Sequence, residues 1–208
     1  FFLSEDGKYN PLNELLTTID SLFENRLIKN KSEKYVHTKC RYPARYYWLN
    51  KKLKFKNNFF NQVDCTQFEN WLADINPYSI SIIFSNYNAD SPASMFGHTF
   101  ININNKLLKK ESPLNYSIGY SAVVDKNDNF LKYAYKGIFG YYKGIYTISP
   151  YYLKIQEYNN FDFRDMWIYD LKLNEEELNI FIYHIWELDR TTIDYYYFKG
   201  NCSFHLLS

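Results

Sequence analysis

The segments YSISIIFSNY (Tyr78 to Tyr87) and MFGHTFINI (Met95 to Ile103) decide the fold class. Both are rich in β-branched and aromatic residues, which is the composition of strands, and the ADSPAS stretch between them is typical of a loop. A third segment of this kind, LNYSIGYSAVV (Leu114 to Val124), follows a turn signal at Asn104-Asn105. Three consecutive strands predict an antiparallel meander.

Helical patterns lie on both sides of this meander. Asn10-Pro11 predicts a helix start, Thr66 and Glu69 have the spacing of a capping box, and Asn174 precedes three glutamates and an apolar stripe. IYTISP and MWIYDLKL predict further strands, while the glycines of YKGIFGYYKG (135 to 144) predict close backbone approaches or positive φ. The sequence therefore predicts an α+β fold with a central, mostly antiparallel sheet flanked by helices.

Length, composition and charge indicate the number of domains and argue against nucleic acid as a partner. A chain of 208 residues with 46% hydrophobic content fits one domain. The net charge is +1 and the charges are scattered, so no basic stripe predicts nucleic acid as a partner. No apolar run is long enough to span a bilayer and no signal peptide opens the chain. The chain starts without Met, which we expect of an excised piece of a longer protein.

The chain has three cysteines, so at least one thiol has no cysteine partner within it. Cys40 and Cys65 flank a lysine- and asparagine-rich segment with the composition of a surface loop. A disulfide between them is expected in an exported protein, and two buried, unpaired thiols are the equal alternative. If Cys40 and Cys65 pair, Cys202 remains as a free thiol.

Cys202 has three interpretations. It follows the predicted strand DYYYF and a Gly-Asn turn, and it begins a helix, where the helix dipole and the first N–H groups favour a thiolate nucleophile and an oxyanion. It can also be a small buried residue of a core helix. The third interpretation pairs it with His205 as half of a zinc site, with His37 and Cys40 at the same spacing.

His98 lies within a predicted strand, in FGHTF, and shares its strand face with Phe100 and Asn102. Gly97 before it lets another backbone or a substrate approach. An imidazole at such a position is either a satisfied core histidine or a functional group. Together, a strand histidine and a cysteine at a helix start are the arrangement that a cysteine acyl-transfer enzyme requires.

Six motifs in order carry a resemblance to a known family. They are CRYPARYYWL (40 to 49), SPASMFGHTFI (91 to 101), YKGIFGYYKG (135 to 144), FRDMWIYDL (163 to 171), IWELDR (185 to 190) and YYFKGNCSFHLLS (196 to 208). The set resembles the periplasmic domain of the Lnb-type lipoprotein N-acyltransferases. On this basis we expect a single catalytic domain over 1–208, with an N-terminal helical segment (1–39) and a family-like core (40–208).

The resemblance implies an enzyme that moves a fatty acyl chain from a phospholipid, through a cysteine thioester, to the N-terminal amine of a lipoprotein. It implies no cofactor and no metal. The expected location is the periplasm or the outer face of the inner membrane, at the membrane surface and anchored by segments outside this chain. The order His98 before Cys202 is similar to the circularly permuted papain-like fold of the lecithin:retinol acyltransferase group.

Carried over to this sequence, the resemblance makes Cys202 the nucleophile and His98 its base. Tyr116 is the favoured orienting group, with Asn115 and Ser117 as alternatives, and Asn201 or the Cys202 amide is expected to bind the oxyanion. The expected substrate-binding residues are Ser91, Ser94, Arg45 and Lys136. Gly119 departs from the pattern, because an amide side chain is expected there.

Two other functions use the same residues differently. A cysteine hydrolase of the cell envelope, whether an amidase, a peptidase or a phospholipase, would use the same pair with water as the acceptor. A non-catalytic envelope binding module would simply pack Cys202 in its core.

Overall fold

The predicted α+β architecture is present in a computed structural model, which describes residues 1–24, 27–29, 35–56, 60–86, 97–108, 112–125, 127–155, 165–189 and 191–207. The chain forms two compact units. The first contains Phe1–Asp74 and Asn174–Asp189, and the second contains Ile75–Leu173 and Arg190–Ser208. No helix in the described ranges is both long and apolar enough to cross a membrane.

The elements follow the predicted alternation of helices and strands. In chain order they are α1 (Pro11–Phe23), β1 (Leu27–Lys29), β2 (Tyr35–His37), α2 (Thr38–Arg41), α3 (Pro43–Leu53), a 3-10 turn (Phe60–Gln62), α4 (Thr66–Ile75), β3 (Pro77–Ser85), β4 (His98–Asn105), β5 (Tyr116–Val123), α5 (Phe130–Phe139), β6 (Tyr142–Pro150), α6 (Tyr151–Ile155), β7 (Met166–Leu171), α7 (Glu175–Leu188), β8 (Thr192–Tyr195) and α8 (Cys202–Leu207).

The second unit is built on a six-stranded sheet in the order β7-β3-β4-β5-β6-β8. All the pairs between neighbouring strands are antiparallel, and β3, β4 and β5 form the predicted meander. The register places Phe100 between Ile83 and Gly119, and it places Asn102 opposite Ser117. These pairs fix which side chains share a face of the sheet.

Helix α8 lies on one face of this sheet, which we call the α8 face. The Thr99 and Ser203 hydroxyls are 2.6 Å apart, and the Tyr146 hydroxyl donates to the His205 carbonyl at 3.1 Å. The rings of Tyr120 and His205 are 4.4 Å apart between centroids. On the opposite face, Phe100 packs with Ile83 and with Tyr151 of α6.

Helix α5 was not predicted from the sequence. The prediction for its glycines is confirmed, because a Cβ on Gly137 would lie 2.0 Å from the Tyr197 ring and Gly140, with φ of 77°, ends the helix in the left-handed conformation. An internal glycine and several aromatic residues lower the helix propensity of this segment. Its helical state follows instead from the cap at Asn129, whose side chain accepts from the Lys132 amide, and from packing.

The first unit is helical around two small cores. Leu22, Leu49 and Phe60 form one, and the other surrounds the disulfide that joins Cys40 and Cys65. Helix α7 begins at the cap predicted at Asn174, which also forms a capping box with Glu177. The capping box expected at Thr66 and Glu69 is wrong, because Thr66 is already helical and its amide donates to the side chain of Asp64 at 2.8 Å.

Candidate active site

The nucleophile turn, Gly200 to Cys202, reverses the chain from the end of β8 into α8. Asn201 caps the helix: its side-chain oxygen accepts from the Phe204 amide at 3.1 Å, and its side-chain amide donates to the Tyr197 carbonyl at 3.1 Å. Gly200 forms an isolated β-bridge with Tyr196. The helix start predicted at Cys202 is therefore present, and the oxygen and the nitrogen of the Asn201 side chain both stabilise it.

The Cys202 thiol is unpaired and 4% exposed. Burial raises the pKa of this thiol, and hydrogen bonds from the Thr99 backbone amide and from the hydroxyl and amide of Ser203 act in the opposite direction. The resting side chain is therefore a neutral thiol, and the hydrogen-bond donors of Thr99 and Ser203 favour its thiolate form. A thiolate formed here during a reaction would be stabilised by these donors.

Residues next to the two predicted catalytic positions tie them together. Thr99 follows His98 in the chain and Ser203 follows Cys202, and their hydroxyls share the 2.6 Å hydrogen bond. This hydrogen bond therefore brings the residue after His98 into contact with the residue after Cys202. Sequence reasoning missed Thr99 and Ser203, and their adjacency to His98 and Cys202 is the signal that would have identified them.

The His98 side chain lies at the start of β4. Its ring is stacked beside Phe100 at 6.5 Å between centroids, whereas the next side chain, Thr99, points to α8. Gly97 leads into the strand with φ of 83°, and a Cβ there would lie 2.6 Å from the Ser85 carbonyl oxygen.

Tyr195 is a further neighbour of the nucleophile that the sequence analysis did not single out. Its side chain is 3% exposed, and its ring stacks on that of Tyr120 at 5.5 Å between centroids. Burial and the nearby Cys202 thiol raise the pKa of Tyr195, whose hydroxyl also interacts with the Cys202 backbone amide. A neutral phenol thus lies beside the first amide of α8.

The register separates the three candidate orienting groups from His98. Tyr116 lies opposite Ile103, five residues along β4 from His98, which is roughly 17 Å at about 3.4 Å per residue. Ser117 lies opposite Asn102. Asn115 donates to the Asn104 side-chain oxygen at 3.3 Å. At Gly119, opposite Phe100, no side chain projects from the strand.

The remaining candidates lie in other environments. Arg45 is paired with Glu14 and lies over the ring of Tyr42. Lys136 is paired with Asp128 at 2.7 Å. Ser91 and Ser94 lie outside the described residues.

A metal site was the alternative for the cysteine and histidine pairs. Because Cys40 is bonded to Cys65, it offers no thiolate to a zinc ion. The His205 ring packs against Tyr120. Across the part of the chain that the structure describes, no three His, Cys, Asp or Glu side chains are grouped to hold a metal ion.

Comparison with known families identifies most of the chain. The family model described as the Lnb N-terminal periplasmic domain matches residues 67–208, and one described as Domain of unknown function (DUF7843) matches residues 1–52. No curated protein and no solved structure matches the chain. The first match covers more than half of the 208 residues and includes both His98 and Cys202. The chain therefore belongs to the family of Lnb N-terminal periplasmic domains, as its motifs predicted.

Proposed function

We propose that this domain transfers a fatty acyl chain from a phospholipid to the N-terminal amine of a lipoprotein, through a thioester on Cys202. Membership of the Lnb family supports the substrate class. The observation that carries the proposal is the position of the thiol, which is buried, unpaired and at the start of α8, next to Ser203, whose hydroxyl is 2.6 Å from that of Thr99, the residue after His98.

In the first half-reaction, the Cys202 sulfur attacks the carbonyl carbon of an acyl ester of the phospholipid. His98 takes the thiol proton as the carbon–sulfur bond forms, and it passes this proton to the glycerol oxygen as the carbon–oxygen bond breaks. The products are the thioester and a lysophospholipid. For this step the imidazole must turn from Phe100 toward the sulfur, a movement about the side-chain bonds of a residue at the end of its strand.

In the second half-reaction, the amine of the lipoprotein attacks the thioester carbon. A nitrogen–carbon bond forms, the carbon–sulfur bond breaks, and His98 carries the proton lost by the amine to the departing sulfur. The products are the N-acylated lipoprotein and the resting neutral thiol. No cofactor enters either half.

The oxyanion of each tetrahedral intermediate is assigned to backbone amides of the first turn of α8. The side chain of Asn201 is already engaged as the helix cap, so we assign it a positioning role. We assign the buried Tyr195 hydroxyl as a further donor to the same oxyanion, because the Cys202 thiol and amide both affect its pKa.

The test is intact-mass measurement after incubation with a phospholipid in mixed detergent micelles. The unmodified protein is expected to gain one acyl mass, Cys202→Ala to gain none, and His98→Gln to acylate about 10²- to 10⁴-fold more slowly. Ser121→Ala is the matched control, since Ser121 is an exposed hydroxyl of the same sheet, and it should acylate normally.

Adding a diacylated lipopeptide identifies the acceptor. A third acyl chain on the lipopeptide, with loss of the protein adduct, is the expected result. Free fatty acid in place of acylated lipopeptide would assign the same site to a hydrolase. Absence of any adduct with every phospholipid offered would count against the thioester and for a binding module.

A further inference from the structure

Helix α5 exposes an apolar surface that packing within the domain leaves uncovered. Its large hydrophobic side chains, together with Tyr141 just after it, are between 44% and 77% exposed. They are Phe130, Leu131, Tyr135, Ile138, Phe139 and Tyr141. Single exposed hydrophobic residues are ordinary in soluble proteins, but a contiguous group of this kind marks an interaction surface.

The exposed side chains form one stripe, which we call the α5 stripe. Leu131, Tyr135 and Ile138 have the i, i+4, i+7 spacing of a single helix face. The Tyr135 ring is 4.7 Å from that of Phe139 and 5.8 Å from that of Tyr141, between centroids. The stripe is thus continuous from the middle of the helix to its end.

The other side of α5 is held firmly. The Tyr197 amide donates to the Gly137 carbonyl at 3.0 Å, and Gly137 has no room for a Cβ against the Tyr197 ring. Lys136 is bonded to Asp128. The helix therefore has a fixed rotation, in which the α5 stripe points outward.

Helix α5 and the segment that leads from β8 into α8 contain no acidic residues. The protein has 23 acidic residues, yet residues 129–155 and 195–208 contain none. Lys132 on α5 and Lys199 in the neighbouring turn are exposed. Asp128, just before α5, is paired with Lys136, and its side chain is 7% exposed. Exposed aromatic and aliphatic side chains beside lysines are the composition of helices that lie in the surface of an anionic bilayer.

Helix α5 packs against the segment that leads to the nucleophile turn. Tyr197, against which α5 packs, precedes Cys202 by five residues, and the next side chain, Phe198, is 59% exposed. An exposed aromatic side chain thus directly follows the residue that holds α5.

We propose that the α5 stripe docks on the surface of an anionic phospholipid bilayer, with its aromatic and aliphatic side chains at the headgroup boundary and with Lys132 and Lys199 against lipid phosphates. Docking of the α5 stripe goes beyond the proposed acyl transfer, because binding to a bilayer requires no thioester. A bilayer suits an outward-facing stripe on one helix better than a peptide does, because a peptide would need a groove in which to bury its apolar side chains.

The test is flotation of the 208-residue chain with phosphatidylcholine vesicles that do or do not contain phosphatidylglycerol. The protein is expected to bind the anionic vesicles, and Leu131→Gln with Phe139→Gln is expected to weaken binding by at least about tenfold. The matched control, Tyr9→Gln with Leu107→Gln, changes two equally exposed side chains elsewhere and should bind normally. Lys132→Gln and Lys199→Gln should each cost about fivefold on anionic vesicles only.

Insertion of the α5 stripe into the bilayer is measured separately with Tyr135→Trp, in which the emission of the introduced tryptophan should shift to the blue on anionic vesicles. Failure of the unmodified protein to float, or equal loss in the control pair, would overturn the proposal. Self-association that disappears in the Leu131 and Phe139 variant, without vesicle binding, would assign the stripe to a second copy instead and also overturn it. Cys202→Ala should bind vesicles normally, so this test and the acylation test fail independently.

Discussion

The two faces of the six-stranded sheet are both buried, yet they are built from different chemistry. The α8 face has large apolar side chains that are at most 1% exposed, among them Ile101, Ile118 and Tyr120. The opposite face has one apolar cluster, Ile83, Phe100 and Tyr151, and beside it small polar side chains that are at most 2% exposed, namely Ser81, Asn102, Asn104 and Ser117. Neighbouring residues of one strand thus enter an aromatic core on one side and a hydrogen-bonded network on the other.

This difference separates two structural tasks. On the α8 face, the Tyr120 ring contacts those of Tyr146, Tyr195 and His205, so the core that stabilises the domain is also the platform that holds the nucleophile helix. On the opposite face, Asn104 links strands through its amide. We therefore expect changes on the α8 face to affect both stability and the thiol, and changes in the polar network around Asn104 on the opposite face to affect stability alone.

The largest effect is expected at Tyr120. Truncation by Tyr120→Ala should lower the free energy of unfolding by about 3–5 kcal/mol, because it leaves a cavity among three rings. It should also increase the rate of Cys202 alkylation, since α8 loses its platform. Urea unfolding and iodoacetamide labelling measure the two effects.

Tyr120→Phe is the control for this change. The phenol hydroxyl donates to the Ile193 carbonyl at 3.3 Å, and losing that bond should cost about 1 kcal/mol while the thiol stays protected. Unchanged alkylation in the Tyr120→Ala protein would show that the platform does not hold α8.

A smaller effect is expected at Asn104 on the opposite face. Its side-chain amide donates to the Ser79 and Ser81 hydroxyls at 3.0 Å each, and its oxygen accepts from Asn102 and Asn115. Asn104→Ala removes all of these bonds and should destabilise the domain by about 2–3 kcal/mol, because it leaves buried groups without partners. Alkylation of Cys202 in the folded protein should not change, and a faster rate would contradict the separation of tasks.

The sequence predicted the strands of this sheet well, because β-branched and aromatic runs are strong signals. It did not predict that both faces are buried. A strand that alternates apolar and polar residues normally has one solvated face, whereas Asn102 and Asn104 are buried by the packing around them. Burial of a polar residue depends on what covers it, which is not local information.

The candidate site could also be predicted only in part from the sequence, because part of it depends on contacts that are not local. A histidine before a helix-start cysteine, as in His98 and Cys202, could be identified from the order of motifs along the chain. The orienting residue could not, because its identity depends on strand register. The sequence could not show that Tyr116 lies opposite Ile103, five residues along β4 from His98. Helix α5 was missed for a related reason, since its packing against Tyr197 outweighs a weak local propensity.

The smallest effect, and the one with the opposite sign, is expected at Ser117. The Ser117 hydroxyl and the Asn102 side-chain oxygen are cross-strand neighbours, and both are buried without a hydrogen-bond partner. Burying a hydroxyl that makes no hydrogen bond costs free energy, so Ser117→Ala should leave stability unchanged or raise it by up to about 1 kcal/mol. Urea unfolding beside Asn104→Ala measures this. A clear loss of stability would mean that the hydroxyl is bonded through solvent, so that the network on this face is larger than the Asn104 contacts and extends toward β5.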